Sequence, residues 1–190
     1  CAVKEVTGKW TAALRNPILP VMVEEASVQE VVHIGDGLLD HGGLAEFPVP
    51  ISVPGFDNAP YLTAANWTSK DPETCGRNIG NYRAMLKSPT RLGICCLGTQ
   101  HLRTHWEKCR AKGISLPAAI VIGAAPNVGY AATAKIPYGT DELAVAGGIG
   151  GEPVRLVKCK TVDLEVPADA EIIIEGVIPT DSMEREGPFG

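Results

Sequence analysis

Three groups of residues in this 190-residue chain have types and spacings that can do chemistry. In the first, His101 and His105 stand four apart, with Cys109 four further on. On a helix that spacing puts both imidazoles on one face, as in helix-borne zinc sites. No H-E-x-x-H motif accompanies them, so His105 reads better as a surface or packing residue. The second group is Asn78-Ile79-Gly80-Asn81-Tyr82-Arg83, followed later by Gln100-His101. Taken alone, Asn78 and Asn81 are loop residues and Arg83 an exposed strand residue. Read as chemistry, an amide, an imidazole and a guanidinium converge on an anionic ligand. A carboxylate from Asp141 or Glu142 would complete a mixed oxygen and nitrogen set, which suits Mg²⁺ or Mn²⁺ better than zinc. The third group is Glu184-Arg185-Glu186-Gly187-Pro188-Phe189-Gly190. Its bland reading is a solvated acid before a turn, but a Glu beside Arg83 can act as a general acid where a dry pocket raises its pKa.

The elements that must position these groups are short. Residues 27–34 read as a brief helix broken by Gly35, Gly37, Gly42 and Gly43, and Pro48, Pro50, Pro54 and Pro60 then impose extended or turning backbone. Residues 61–68 are rich in β-formers and read as a strand. Asp71-Pro72-Glu73-Thr74-Cys75-Gly76 is turn chemistry. Residues 82–86 and 91–97 read as further strands about a Ser88-Pro89-Thr90 turn. The clearest helix is 101–112, capped by Thr99, with Leu102 and Trp106 at i and i+4 and Gly113 as its stop. Residues 116–122 form a buried strand, 127–133 a small-residue helix, and 141–146 a helix capped by Thr140. The β-branched stretches 154–165 and 170–178 close the series. Six or seven strands and three or four short helices do not alternate strictly, so a doubly wound parallel sheet fits poorly. The expected class is α+β, mainly β: a compact, partly closed barrel with helices at its sides.

Composition bounds the rest. The chain is 45% hydrophobic and 21% charged, enough for one domain with a core. With 21 Gly and 15 Pro against only 3 Trp, 4 Tyr and 3 Phe, that core must be mostly Val, Ile, Leu and Ala. A net charge of −5 argues against nucleic-acid binding. No run approaches ~18 uninterrupted apolar residues, and no basic start precedes an apolar block. The expectation is a cytoplasmic protein with neither nucleic-acid nor membrane partner. Cys1, Cys75, Cys95, Cys96, Cys109 and Cys159 include a vicinal pair and no C-x-x-C, which favours buried reduced thiols over a disulfide framework. No repeat is visible, so residues 1–190 count as a single domain. Its start at Cys1 and its end in a polar, turn-like stretch suggest a central piece of a longer polypeptide, without that protein's N- and C-terminal domains.

Seven motifs occur in a telling order: Lys70-Asp71-Pro72-Glu73-Thr74, Asn78-x-Gly80-x-Tyr82-Arg83, Gly98-x-Gln100-His101, Gly123-x-x-Pro126, Ile136-Pro137-x-Gly139-x-x-Glu142, Val166-Pro167-Ala168-x-x-Glu171 and Glu186-Gly187-Pro188-Phe189-Gly190. Together they resemble the UbiD-type decarboxylases over nearly the whole chain. The resemblance implies a split β-barrel of the flavin-reductase type that binds prenylated FMN. It implies reversible decarboxylation of aromatic or α,β-unsaturated carboxylic acids, with CO₂ as the other partner and a flavin prenyltransferase as cofactor supplier. Asn78, His101 and Glu142 would hold Mn²⁺ or Mg²⁺ bridging to the cofactor phosphate, with K⁺ beside it at Ala132, Thr133 and Ala134. Ile79, Gly80 and Gln100 would line the flavin. Arg83 would be catalytic and pair with flavin and substrate carboxylate, supported by a second catalytic residue, Glu186. The family's third acid would fall at position 191, past the last residue, so this piece alone is expected to be inactive and the full-length protein a homo-oligomer. The chemistry is coherent: no Walker-type lysine loop is present, so a bridging cation accounts for phosphate binding in an acidic domain, and arginine offers a bidentate grip that lysine lacks. The alternative is a non-catalytic flavin- or metal-binding split-barrel subunit. A zinc hydrolase built on His101 and His105 is a third reading.

Overall fold

A computed structural model describes residues 3–190. Its framework is a four-stranded sheet with helices on both faces. In chain order the elements are α1 (Val3–Arg15), β1 (Val21–Met22), β2 (Tyr61–Leu62), β3 (Asn66–Lys70), β4 (Arg77–Asn81), β5 (Ala84–Ser88), β6 (Arg91–Ile94), α2 (His101–Ala111), β7 (Leu116–Ile122), α3 (Pro126–Thr133), α4 (Glu142–Gly150), β8 (Arg155–Lys158), β9 (Glu165–Pro167) and β10 (Ile172–Ile178). The central sheet runs β10-β7-β3-β4, all antiparallel. Two three-stranded sheets, β1-β8-β9 and β2-β5-β6, accompany it. The class is α+β, mainly β.

The near-continuous apolar run of β7 is buried on both faces, as such a run requires. Its Ala119 and Val121 join one core with Ile79, Val128, Leu143 and Val145, under α1, α3 and α4. Its Leu116, Ala118 and Ile120 join a second core with Trp67, Tyr82, Leu102 and Trp106, under α2. The period of two along β7 thus separates the helices onto two faces.

The α2 helix follows its sequence pattern: Leu102, His105, Trp106 and Cys109 are buried, and Arg103 pairs with Glu107 at 2.8 Å on the outer face. Gly113 takes φ +66 and the Ile114 N–H returns to the Cys109 carbonyl at 3.1 Å, which closes the helix end. Two caps differ from expectation. Gln100, not Thr99, occupies the N-cap of α2, and its side chain makes no capping bond. Asp141, not Thr140, caps α4, its carboxylate accepting from the Leu143 N–H at 2.9 Å.

Other boundaries shift for tertiary reasons. The strand expected at 61–68 divides into β2 and β3, because the chain crosses there from one sheet to another. Asn78 and Asn81 are strand residues, paired in register with Ser69 and Asn66 across β3. The expected helix at 27–34 is a single 3-10 turn, Ser27–Gln29. The stretch 154–165 is interrupted between β8 and β9. Helix α1 is not among the elements read from the sequence, although Trp10, Ala13 and Leu14 give it an apolar face against the core. Among the five cysteines within the described residues all are free, but only Cys109 is buried and Cys75 is exposed. Cys1 lies outside the described residues.

Candidate active site

The β4 strand is an edge of the central sheet, and its open side is where the second motif group assembles. Helix α2 begins there with His101 from one face of the sheet, and α4 begins there with Glu142 from the other. The Glu142 carboxylate is 3% exposed as a residue; its Oε2 accepts from the Ile79 N–H at 3.2 Å, and Oε1 lies 3.3 Å from His101 Nδ1. Burial pushes the Glu142 pKa up to about 7, against which the backbone N–H bonds act. No lysine or arginine is paired with it among the described residues. Asn78, on β4, is 3% exposed and its amide nitrogen makes no well-formed hydrogen bond among the described residues, only a weak contact with the Tyr82 hydroxyl. Burial lowers the His101 pKa, which favours the neutral, ligating imidazole.

The two candidate acids differ in their surroundings. Asp141 is committed to capping α4 and to Arg77 at 2.7 Å, whereas Glu142 faces His101. Among the described residues no three His, Cys, Asp or Glu side chains converge as a metal centre. A cation here would need the Asn78 amide as well. The chemistry of the set fits that demand: a buried carboxylate without a counter-cation, an imidazole whose pKa burial lowers, and an amide that would ligate through its oxygen suit a divalent ion of the Mg²⁺ or Mn²⁺ kind.

A layer that the sequence did not reveal stands behind His101. Tyr138 meets the His101 ring edge-on at 5.1 Å and the His105 ring at 5.9 Å. Its hydroxyl donates to Asp71, which also accepts from Lys108 at 2.6 Å and from the Glu73 N–H at 2.9 Å. Burial alone would raise the Asp71 pKa, but the Lys108 and Tyr138 donors outweigh it and hold the carboxyl well below the usual range. His105 is buried against Ser69 Oγ at 2.9 Å, and its pKa is lowered to about 4, chiefly by burial. It packs, and the i, i+4 pair does not form a two-histidine metal face with Cys109, which is buried in the α2 core. The Asp-Pro turn signal at Asp71 was legible in the sequence; its reach to Tyr138 was not.

Gly80 shares a face of β4 with Asn78, and a Cβ there would sit 2.6 Å from the Tyr82 hydroxyl, so glycine lets that ring lie across the strand. The Ile79 side chain is 1% exposed in the core, leaving its backbone to face the open edge. Gln100 is exposed, and its Oε1 accepts from the Leu97 N–H at 2.7 Å, closing the turn before α2. Ala132, Thr133 and Ala134 form the end of α3 and the residue after it; the Thr133 hydroxyl is spent on the Tyr130 carbonyl at 3.0 Å.

Arg83 lies in the break between β4 and β5. Its Nε and Nη2 bind Glu186 Oε1 and Oε2 at 2.9 and 2.6 Å, a bidentate pair in which the Glu186 side chain is 9% exposed. These bonds raise the Arg83 pKa further. The Arg83 guanidinium stacks near Phe189 at 5.1 Å and Tyr61 at 6.0 Å. The terminal segment is fastened further by Asn58 to the Gly187 carbonyl at 2.7 Å and by the Gly190 N–H to Asp57 at 2.9 Å. Arg83 and Glu186, 103 residues apart, are thus brought into direct contact, as are His101 and Glu142.

Residues 21–190 match the family described as UbiD: 3-octaprenyl-4-hydroxybenzoate carboxy-lyase Rift-related domain, and the chain belongs to that family. It is 36% identical over 189 residues to the anhydromevalonate phosphate decarboxylase of Methanothermobacter thermautotrophicus, covering 100% of this chain and 42% of that protein. It is 39% identical over 138 residues to the phenolic acid decarboxylase of Bacillus subtilis, covering 70% of this chain and 29% of that one. The UbiD-class enzyme HmfF from Pelotomaculum thermopropionicum, solved with FMN, superposes with a TM-score of 0.91 at 37% identity, covering 99% of this chain and 41% of that chain. An evolved dimeric form of the same enzyme, solved with prFMN, gives 0.90 at 38% identity, covering 99% and 43%. The chain spans about a third of the length of the curated relatives it matches. No helix among the described residues is long and apolar enough to cross a membrane.

Proposed function

We propose that this chain is the central cofactor-binding part of an enzyme that reversibly decarboxylates aromatic or α,β-unsaturated carboxylic acids with prenylated FMN. The observation that carries the reading is that β4 places Asn78, with His101 and Glu142, toward one end and leads into the Arg83–Glu186 pair at the other. Five residues of extended chain span ~16 Å, a length suited to a flavin mononucleotide laid from phosphate to ring. Asn78, His101 and Glu142 would hold Mn²⁺ or Mg²⁺ against the cofactor phosphate, and the N-terminal ends of α2 and α4 favour the same negative charge. K⁺ would lie near 132–134 and use backbone carbonyls, since the side chains there offer almost nothing. Ile79, Gly80 and Gln100 would border the flavin, Ile79 through its backbone. The sheets β10-β7-β3-β4 and β2-β5-β6, joined through Tyr82-Arg83, would be the two parts of a split barrel.

Prenylated FMN, when bound, supplies the electron sink for the pair released with CO₂. The chain's own residues do the rest. The Arg83 guanidinium is one-third exposed and spends two of its donors on Glu186, leaving others for a substrate carboxylate. Glu186 fixes the plane of that guanidinium. The proposal includes a third acid from outside this sequence, a homo-oligomeric cytoplasmic holoenzyme, and a prenyltransferase that supplies the cofactor. Calorimetric titration with FMN, which carries the same phosphate, tests the site. Binding is expected with Mn²⁺ or Mg²⁺ and to be much weaker after chelation. Equal affinity in both conditions would sink the metal assignment and favour a flavin module without a bridging ion.

A further inference from the structure

We propose that the Tyr61 hydroxyl is a positioning donor for Glu186, only weakly engaged until a second carboxylate reaches Arg83. The inference rests on the reading of Arg83 as the partner of the substrate carboxylate. Tyr61 opens β2 and has no exposed surface, yet its hydroxyl makes no well-formed hydrogen bond among the described residues; only the Glu186 carboxylate and the Gly187 backbone are close enough to act on it as weak partners. A phenylalanine would fill the same volume without leaving a polar atom so poorly paired, so the oxygen calls for a bond that the resting protein makes only weakly.

What surrounds it supplies the explanation. The Tyr61 ring packs 4.5 Å from Phe189, in the same segment as Glu186, and 6.0 Å from the Arg83 guanidinium carbon. Burial and then the Glu186 charge raise the pKa of the phenol, so it stays an O–H donor beside an anionic acceptor. Glu186 is almost buried and takes its two well-formed bonds from Arg83, which leaves each carboxylate oxygen a lone pair for a further donor. An anionic ligand on the outer edge of Arg83 puts two carboxylates on one guanidinium. That sharing weakens the hold on Glu186. A small rotation of the phenol O–H onto Glu186 offsets the loss and keeps the guanidinium plane where the ligand needs it.

Tyr61→Phe tests this in the holoenzyme, with benzoate as the probe and thermal unfolding as the second readout. The melting temperature is expected within about a degree of wild type or above it, since the resting protein loses no well-formed bond. Benzoate affinity is expected to fall about tenfold, the effect of one hydrogen bond to a charged group. In a Glu186→Gln background the same change should have little further effect, because the acceptor charge is gone. Unchanged affinity in Tyr61→Phe overturns the proposal. So does a tenfold loss that persists in full beside Glu186→Gln, or a melting temperature lowered by many degrees. If the wild-type holoenzyme does not bind benzoate at all, the role of Arg83 fails first and this inference goes with it.

Discussion

Two buried groups flanking His101 titrate in opposite senses, and between pH 4.5 and 7 their effects on the stability of the metal-free protein should nearly offset. The His105 pKa is lowered from 6.5 to about 4, chiefly by burial, with the Asp71 charge opposing. The unfolded chain therefore takes up a proton that the folded chain refuses. Its contribution is fully present above pH 6.5 and is lost as the pH falls toward 4. The Glu142 pKa is raised from 4.5 to about 7 by burial. Here the folded chain holds the extra proton, so its contribution is present below 4.5 and lost as the pH rises through 7. Each shift corresponds to about 3 kcal/mol. His105→Gln leaves the Glu142 limb, and stability should fall by roughly that amount as pH rises from 4.5 to 7. Glu142→Gln leaves the His105 limb, reinforced by the lowered His101, and stability should rise over the same interval. The lowered Asp71 and Asp57 act mainly below this range. Urea midpoints in chelator across the interval check the argument. Parallel curves for all three proteins, or tilts of the opposite sign, would refute it.

Three further outcomes follow from the site. Gly80→Ala places a Cβ 2.6 Å from the Tyr82 hydroxyl, so the ring must move; a loss of about 1–3 kcal/mol and weaker FMN binding are expected, and wild-type urea midpoints would contradict the packing argument. Asp71→Ala removes the acceptor of Tyr138 and Lys108 and should cost about 3 kcal/mol in chemical denaturation while lowering bound metal, because Tyr138 loses its anchor against His101. His101→Ala should reduce metal content and FMN affinity together, whereas His105→Ala should keep both near normal at neutral pH. Metal analysis that shows the reverse pattern would restore the zinc reading.

The legible parts of the fold were those with a strong local period. Residues 101–112 announce α2 through Leu102, Trp106 and Gly113, and the apolar run of β7 announces a strand buried on both faces. The Asp71 turn was read from Asp, Pro and Gly alone. Asn78 and Asn81 were read as loop residues because asparagine prefers turns; the sheet overrides that preference, since their register with β3 is set by the strands around them. Both caps fall one residue later than the threonines suggest, at Gln100 rather than Thr99 and at Asp141 rather than Thr140, because tertiary contacts set where the chain turns into each helix.

Within the candidate site, residue type and spacing determined which groups could act: Asn78, Arg83, His101, a carboxylate at 141 or 142, and Glu186 all stand in the motifs themselves. The resemblance to the family already points to Glu142 and to Glu186 beside Arg83. The tertiary structure adds the surroundings: Asp141 is taken up by the helix start and by Arg77, while Glu142 turns to His101. It also gives the bidentate Arg83–Glu186 geometry and sets Tyr138, Asp71 and Tyr61 behind these groups. The reason is physical. Local sequence fixes backbone preference and chemical type, but burial, pairing and the charge a side chain carries depend on neighbours that arrive from distant parts of the chain.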